Sequence, residues 1–139
     1  MTTLKARVVN KISIANTIPL TQSLYRIRDR KGNRAGEMTQ IEALELTKKY
    51  ASVIRSELDA NAIVLLFGSH ARNQATIDSD IDIAVVSRKF GKNVVEDFGR
   101  INILRHNISL DIEAHPVPYR EWSNLTPFIK TIQTEGIAV

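Results

Sequence analysis

The sequence predicts one small α/β domain whose elements run α-β-α-β-α-β-α, preceded by a basic segment with no firm pattern. Three observations point to it. An apolar stripe at helical spacing follows a capping signal near residue 39, a short wholly apolar run comes next, and two further strand patterns then alternate with helical ones. A chain of 139 residues, 43% hydrophobic and 24% charged, suits one core and is too apolar for a disordered chain.

The charge is unevenly placed. The whole chain carries a formal +4, which alone suggests an anionic partner such as nucleic acid. Residues 1–37, however, hold eight basic residues against two acidic ones, and residues 38–139 hold eleven against thirteen, a net −2. The basic excess therefore belongs to the leader, and nucleic acid is not the expected partner. In the leader only Leu4, Val8 and Ile12 fall at a spacing that could line a short helix. Residues 1–37 read as a basic extension and residues 38–139 as the folded domain. Ala35-Gly36-Glu37, whose codons can spell a ribosome-binding sequence, further suggests a natural start at Met38.

Each element of the domain has its own signal. Thr39 and Glu42 form a capping box, and Ile41, Leu44, Ala51, Ile54 and Leu58 recur at helical spacing behind it. Residues 62–67 are apolar throughout, as in a strand buried on both faces. Gly68-Ser69 ends that strand, and residues 70–73 read as partly helical. Residues 81–86 form the second strand pattern. From residue 92 to 106 a helix is expected on Val95, Phe98, Ile101 or Ile103, and Leu104 or Ile108, which lie near helical spacing. Residues 108–114 alternate apolar and polar as a half-buried strand, which Pro116 and Pro118 are expected to stop. A last helix is expected between Tyr119 and Glu135, with Pro127 near one of its turns and with Trp122 and Phe128 belonging to its packing rather than to base stacking.

The chemistry-bearing stretch runs from Gly68 to Asp82. Gly68-Ser69 at the mouth of a buried strand, leading into a helical turn, can expose backbone N–H groups and a hydroxyl to phosphate oxygens. Ten residues after Ser69 stands Asp80-Ile81-Asp82. In a strand, positions i and i+2 share a side with Cα atoms roughly 6.6 Å apart, so the two carboxylates repel unless a cation lies between them. Asp111 is the natural third member, between Leu110 and Ile112, and Glu113 on the same face is the weaker candidate. Such oxygens suit Mg²⁺, and two ions about 4 Å apart could clamp a phosphoryl transfer. His70, His106 and His115 lack a zinc-like spacing and are expected at the surface or in caps. Arg100 and His106 enclose five residues in the manner of a nuclease motif, read here as coincidence.

Gly-Ser, ten residues, then Asp-x-Asp resembles the minimal nucleotidyltransferases of the DNA polymerase beta superfamily. Ala71-Arg72 and Ser79 fit the same pattern, whereas Asn73 stands where that family usually has Gly. Asn tolerates a left-handed backbone best, so the turn is expected to form. The resemblance implies a polymerase-beta-like fold with a small mixed sheet and flanking helices. It also implies that Gly68 and Ser69 bind the triphosphate of ATP and that Asp80, Asp82 and Asp111 hold two Mg²⁺ ions and act in catalysis. Arg72 would add a cation near the phosphates.

Only about 28 residues follow Asp111, leaving little room for an acceptor-binding domain. Small members of this kind resemble antitoxins that transfer AMP to a tyrosine hydroxyl of a partner HEPN-domain RNase toxin, and a protein partner is the expectation carried forward. Two alternatives are an aminoglycoside-type transferase and a non-catalytic module that neutralises its partner by occlusion. The absence of cysteine excludes a disulfide framework and a thiolate zinc site. With no membrane-spanning apolar run and no signal-peptide core, a cytoplasmic protein is expected.

Overall fold

The computed structural model describes residues 37–139; the basic leader and its possible short helix lie outside the described residues. Helix α1 (Gln40–Glu57) starts at the capping box, where Thr39 Oγ1 accepts from Glu42 N at 3.1 Å and Glu42 Oε2 accepts from Thr39 N at 2.7 Å. Its buried side keeps Ala51, Ile54 and Leu58 of the expected stripe, with Leu44 packed partly against the core, and loses Ile41. Ala43, Thr47, Tyr50, Ala51 and Ile54 face inward, and Ile41 is 72% exposed. Two polar residues can line that face because each has an internal partner: Thr47 donates to Ala43 O at 2.7 Å, and Tyr50 donates its hydroxyl to Ile101 O.

Strand β1 (Ile63–Phe67) is followed directly by the single-turn helix α2 (Gly68–Ala71), and β2 (Ile81–Ser87) then returns antiparallel to β1. Helix α3 (Val94–Leu104) is capped by Asn93, whose side chain accepts from Glu96 N at 3.1 Å. Its inner side keeps the expected Ile101, with Leu104 packed partly against the core, and otherwise departs from the expected one. Asp97 and Ile101 are buried, whereas Val95, Phe98 and Ile103 are exposed. The Asp97 carboxylate turns inward because it accepts from Gly91 N at 2.9 Å, closing the loop ahead of the helix.

Strand β3 (Ile112–Pro118) begins four residues later than the alternation suggested and runs through both prolines. It lies at the edge of the sheet, order β3-β2-β1-β4, where a missing N–H can face outward. Residues 108–111 form a turn instead, held by Ser109 Oγ, which accepts from Asp111 N at 3.1 Å. A short 3-10 turn (Tyr119–Glu121) leads to helix α4 (Pro127–Glu135), with Pro127 in its first turn and Thr126 as cap. Strand β4 (Ile137–Ala138) adds to β1, an element the sequence pattern did not announce.

The result is a mixed four-stranded sheet, with β1–β2 and β1–β4 antiparallel and β2–β3 parallel. Helices α1 and α3 cover one face through Val64, Leu66, Ile81, Ile83 and Val85. The other face carries Leu65, Phe67, Ala84, Val86 and Val117, covered in part by Ile129 and Ile132 of α4. Each fully buried Ile or Leu contributes roughly 1.5–3 kcal/mol. Strand side chains alternate, so Asp82 must emerge on the face that α4 leaves partly open. No helix among the described residues is long and apolar enough to cross a membrane.

Candidate active site

The site is built where β1 ends. Gly68 adopts φ +75°, a conformation open to Gly at little cost, and a side chain there would collide with the Asp82 carboxylate. The close approach follows from register, because Phe67 is paired with Asp82 across the two strands. Ser69 continues into α2, and its carbonyl accepts from Gln74 N at 2.8 Å. Asn73 then takes φ 57°, the left-handed turn expected of it. Arg72 is exposed and bound elsewhere, donating to Glu135 Oε1 at 2.8 Å and to Gln74 Oε1 at 3.2 Å.

His70 is 3% exposed, against the expectation of a surface or capping histidine. Helix α2 points its ring inward, toward the backbone of Ser79, immediately ahead of Asp80. Burial holds its pKa below the usual histidine range, opposed by Asp82 first, then the Ser79 carbonyl, Asp111 and Asp80. Its titration is thus influenced by all three aspartates singled out from the sequence. Its Nδ1 is buried with no hydrogen-bond partner among the described residues.

Asp80 is exposed and immediately precedes β2, whereas Asp82 lies within the strand and is half-buried. Asp111 falls in the turn ahead of β3, where its carbonyl accepts from Ile81 N at 2.8 Å. The residue of β3 in register with Asp82 is Glu113. Asp82, Glu113 and His115 each offer a ligand atom, all within 4.8 Å of one another. The donor group formed among the described residues therefore takes its second carboxylate from Glu113, the weaker candidate by alternation, and includes a histidine that the sequence gives no reason to choose. Only the parallel pairing of β2 with β3 reveals it.

His115 Nε2 stands 3.6 Å from Asp82 Oδ1, beyond hydrogen-bond range, and is buried without a partner among the described residues. An orphaned nitrogen beside two carboxylates is a set that a divalent cation would complete. Phe67 holds the ring edge-on at 5.3 Å between centroids, and Phe128 lies 5.8 Å from it. Phe128 is 44% exposed and so is not simply core packing, whereas Trp122 packs against the second core cluster.

Residues 48–137 match the family model described as a nucleotidyltransferase domain. A protein of Methanocaldococcus jannaschii, provisionally named a protein adenylyltransferase, is 27% identical over 104 residues, covering 71% of this chain and all of that protein. A crystal structure from Sulfolobus solfataricus, provisionally described as a nucleotidyltransferase, superposes with a TM-score of 0.53 at 23% identity, covering 71% of this chain and 80% of the other. That structural likeness speaks to the fold. The matched residues contain the Gly68-Ser69 turn, Asp80 and Asp82, and the facing strand β3. On that match, this chain belongs to the nucleotidyltransferase domain family.

Proposed function

We propose that the protein transfers AMP from ATP, with Mg²⁺, to a tyrosine hydroxyl of a protein partner, a HEPN-type RNase toxin that it thereby silences. The observation that carries this reading is the group Asp82, Glu113 and His115 set directly beside Gly68. The provisional name of the Methanocaldococcus relative supports protein as the acceptor. So do Val95 and Ile103, left 82% and 71% exposed on α3, since open apolar side chains of this kind suit a protein surface.

In this reading Gly68 and Ser69 hold the phosphates, and Asp80 and Asp82 are the metal-holding carboxylates. Glu113 supplies the facing carboxylate from β3, with Asp111 close by in the turn. Arg72 can reach the phosphates only by leaving Glu135. Held by these carboxylates, a divalent cation would supply charge neutralisation for the transferring phosphoryl group. The phenolic oxygen attacks the α-phosphorus in line, the bond to the pyrophosphate oxygen breaks, and the phenolic proton passes to a β3-side carboxylate. The products are an AMP-tyrosine ester and pyrophosphate. Catalysis belongs to residues 38–139, the basic residues 1–37 are an extension, and an ATP-consuming chain without cysteine suits the cytoplasm.

The test is incubation with ATP, Mg²⁺ and the product of the adjacent gene, read by intact mass. Wild type should add AMP to that product and Asp82→Ala should not. A partner left unmodified by wild type sinks the proposal.

A further inference from the structure

Ala114 stands between Glu113 and His115 on β3, so its backbone sets the aim of two of the three donors gathered at Asp82. That backbone is gripped from outside the sheet. The Asn102 carboxamide on α3 donates through Nδ2 to Ala114 O at 3.1 Å and accepts at Oδ1 from Ala114 N at 3.2 Å, the two bonds that a further strand would otherwise supply. The same Nδ2 donates to Phe98 O at 3.0 Å, one turn back, which fixes the side chain to its own helix. Nearer the start of β3, Arg105 Nη1 donates to Ile112 O, while its Nε donates to Asn102 O at 3.2 Å.

We infer that Asn102 is a positioning residue for the metal-holding group, an inference that rests on the metal-dependent reading above. The place of β3 in the sheet carries the argument. Asp82 lies on β2, an inner strand paired on both sides, whereas β3 is an edge strand paired with β2 alone. Asp82 and Glu113 are in register, and two carboxylates brought that close push their strands apart until a cation joins them. The edge strand is the one free to yield. Ile112 and Ala114 anchor it through buried side chains, and Asn102 and Arg105 anchor its outer backbone. A shift at Ala114 would carry Glu113 and His115 away together while Asp82 stayed in place.

The residue type points the same way. A side chain needed only to cover the strand would be apolar, as the neighbouring Ile101 is, and Asn is a poor helix former. Asn102 instead turns both of its polar atoms to backbone, and two of its three hydrogen bonds go to Ala114.

The experiment is calorimetric titration of the full chain with Mn²⁺ alone, for wild type, Asn102→Leu, Glu113→Gln and the double variant. Asn102→Leu keeps the bulk and loses the pairing, and should weaken Mn²⁺ about tenfold, the scale for groups that orient metal ligands. In the Glu113→Gln background the same change should cost clearly less, because the carboxylate it aims is already gone. Thr39→Ala, a destabilised variant with the grip intact, should bind Mn²⁺ as wild type does. In the metal-free protein the Ala114 amide should exchange slowly in wild type and at least about tenfold faster in Asn102→Leu. Should Asn102→Leu fail to fold by circular dichroism, Asn102→Ala takes its place in the same cycle.

The inference is overturned if the folded Asn102 variant binds Mn²⁺ as wild type does, or if its loss is undiminished in the Glu113→Gln background. An equal loss in Thr39→Ala would reduce the effect to general stability, and rapid exchange of Ala114 in wild type would mean that the grip is absent. Each of these outcomes leaves the metal site standing. If wild type binds no Mn²⁺, the metal-dependent reading itself falls, and the role of Asn102 with it.

Discussion

Gly68 and Asp82 face each other across the β1–β2 pair so closely that a β-carbon on Gly68 would overlap Asp82 Oδ2 and stand 3.2 Å from its Cγ. The glycine therefore serves two needs, the positive φ of the turn and the space for the carboxylate. Gly68→Ala should cost about 1–2 kcal/mol from the left-handed backbone alone. It should also turn the Asp82 carboxylate away and slow transfer at least tenfold, on the scale set by small misplacements at a reacting centre. Chemical denaturation and the rate of AMP incorporation check the two effects separately. An alanine variant with normal rate would mean that Asp82 is not held by this contact.

The choice of the third carboxylate can be decided by metal binding. Glu113 is in register with Asp82, whereas Asp111 belongs to the preceding turn. Glu113→Gln should weaken Mn²⁺ binding by at least about tenfold, and Asp111→Asn should weaken it less. Titration calorimetry on the two variants reads the order directly. The reverse order would restore Asp111 to first place.

Much of this was legible from the residues, and the misses have common physical causes. The capping box at Thr39 and Glu42, the doubly buried β1 and the left-handed Asn73 depend on local chemistry, which a sequence carries. Glu113 and His115 come to Asp82 through pairing between distant segments, which alternation alone cannot specify. The start of β3 was missed because residues 108–111 alternate like a strand, yet Ser109 turns back to hold Asp111 N. Buried His70 and Asp97 escaped notice for a related reason. Asp97 is polar, but the loop it anchors offers it Gly91 N inside, and the turn of α2 carries His70 inward.

Thr39→Ala should lower stability by about 1 kcal/mol, the usual cost of losing a helix cap. Thr39 lies far in sequence from the carboxylates, so transfer activity at a temperature well below unfolding should be unchanged. Denaturant midpoints measured beside initial rates would expose any coupling.

Asp59 gives a pH dependence. The Ser87 hydroxyl donates to its carboxylate, Asn61 N donates at 2.9 Å, and Lys89 and Arg88 lie near, together holding its pKa below the ordinary carboxylate value. The unfolded chain therefore binds this proton more readily than the folded one, so the contribution is full above the ordinary value and lost as pH falls through the folded one. Asp59→Asn should be less stable than wild type at pH 7, with the difference closing below about pH 4. Thermal unfolding across that window reads it, and a constant difference would reject the assignment.

Two of the seven residues of β3 are prolines, and the opposite edge strand, β4, has only two residues. An incoming strand needs a row of backbone donors to zip onto, and β3 interrupts that row while β4 offers almost none. Among the described residues, the β3 flank of the sheet is thus blunted against fibrillar growth. A macromolecule meeting that edge would grip it through side chains, leaving its backbone ladder unextended.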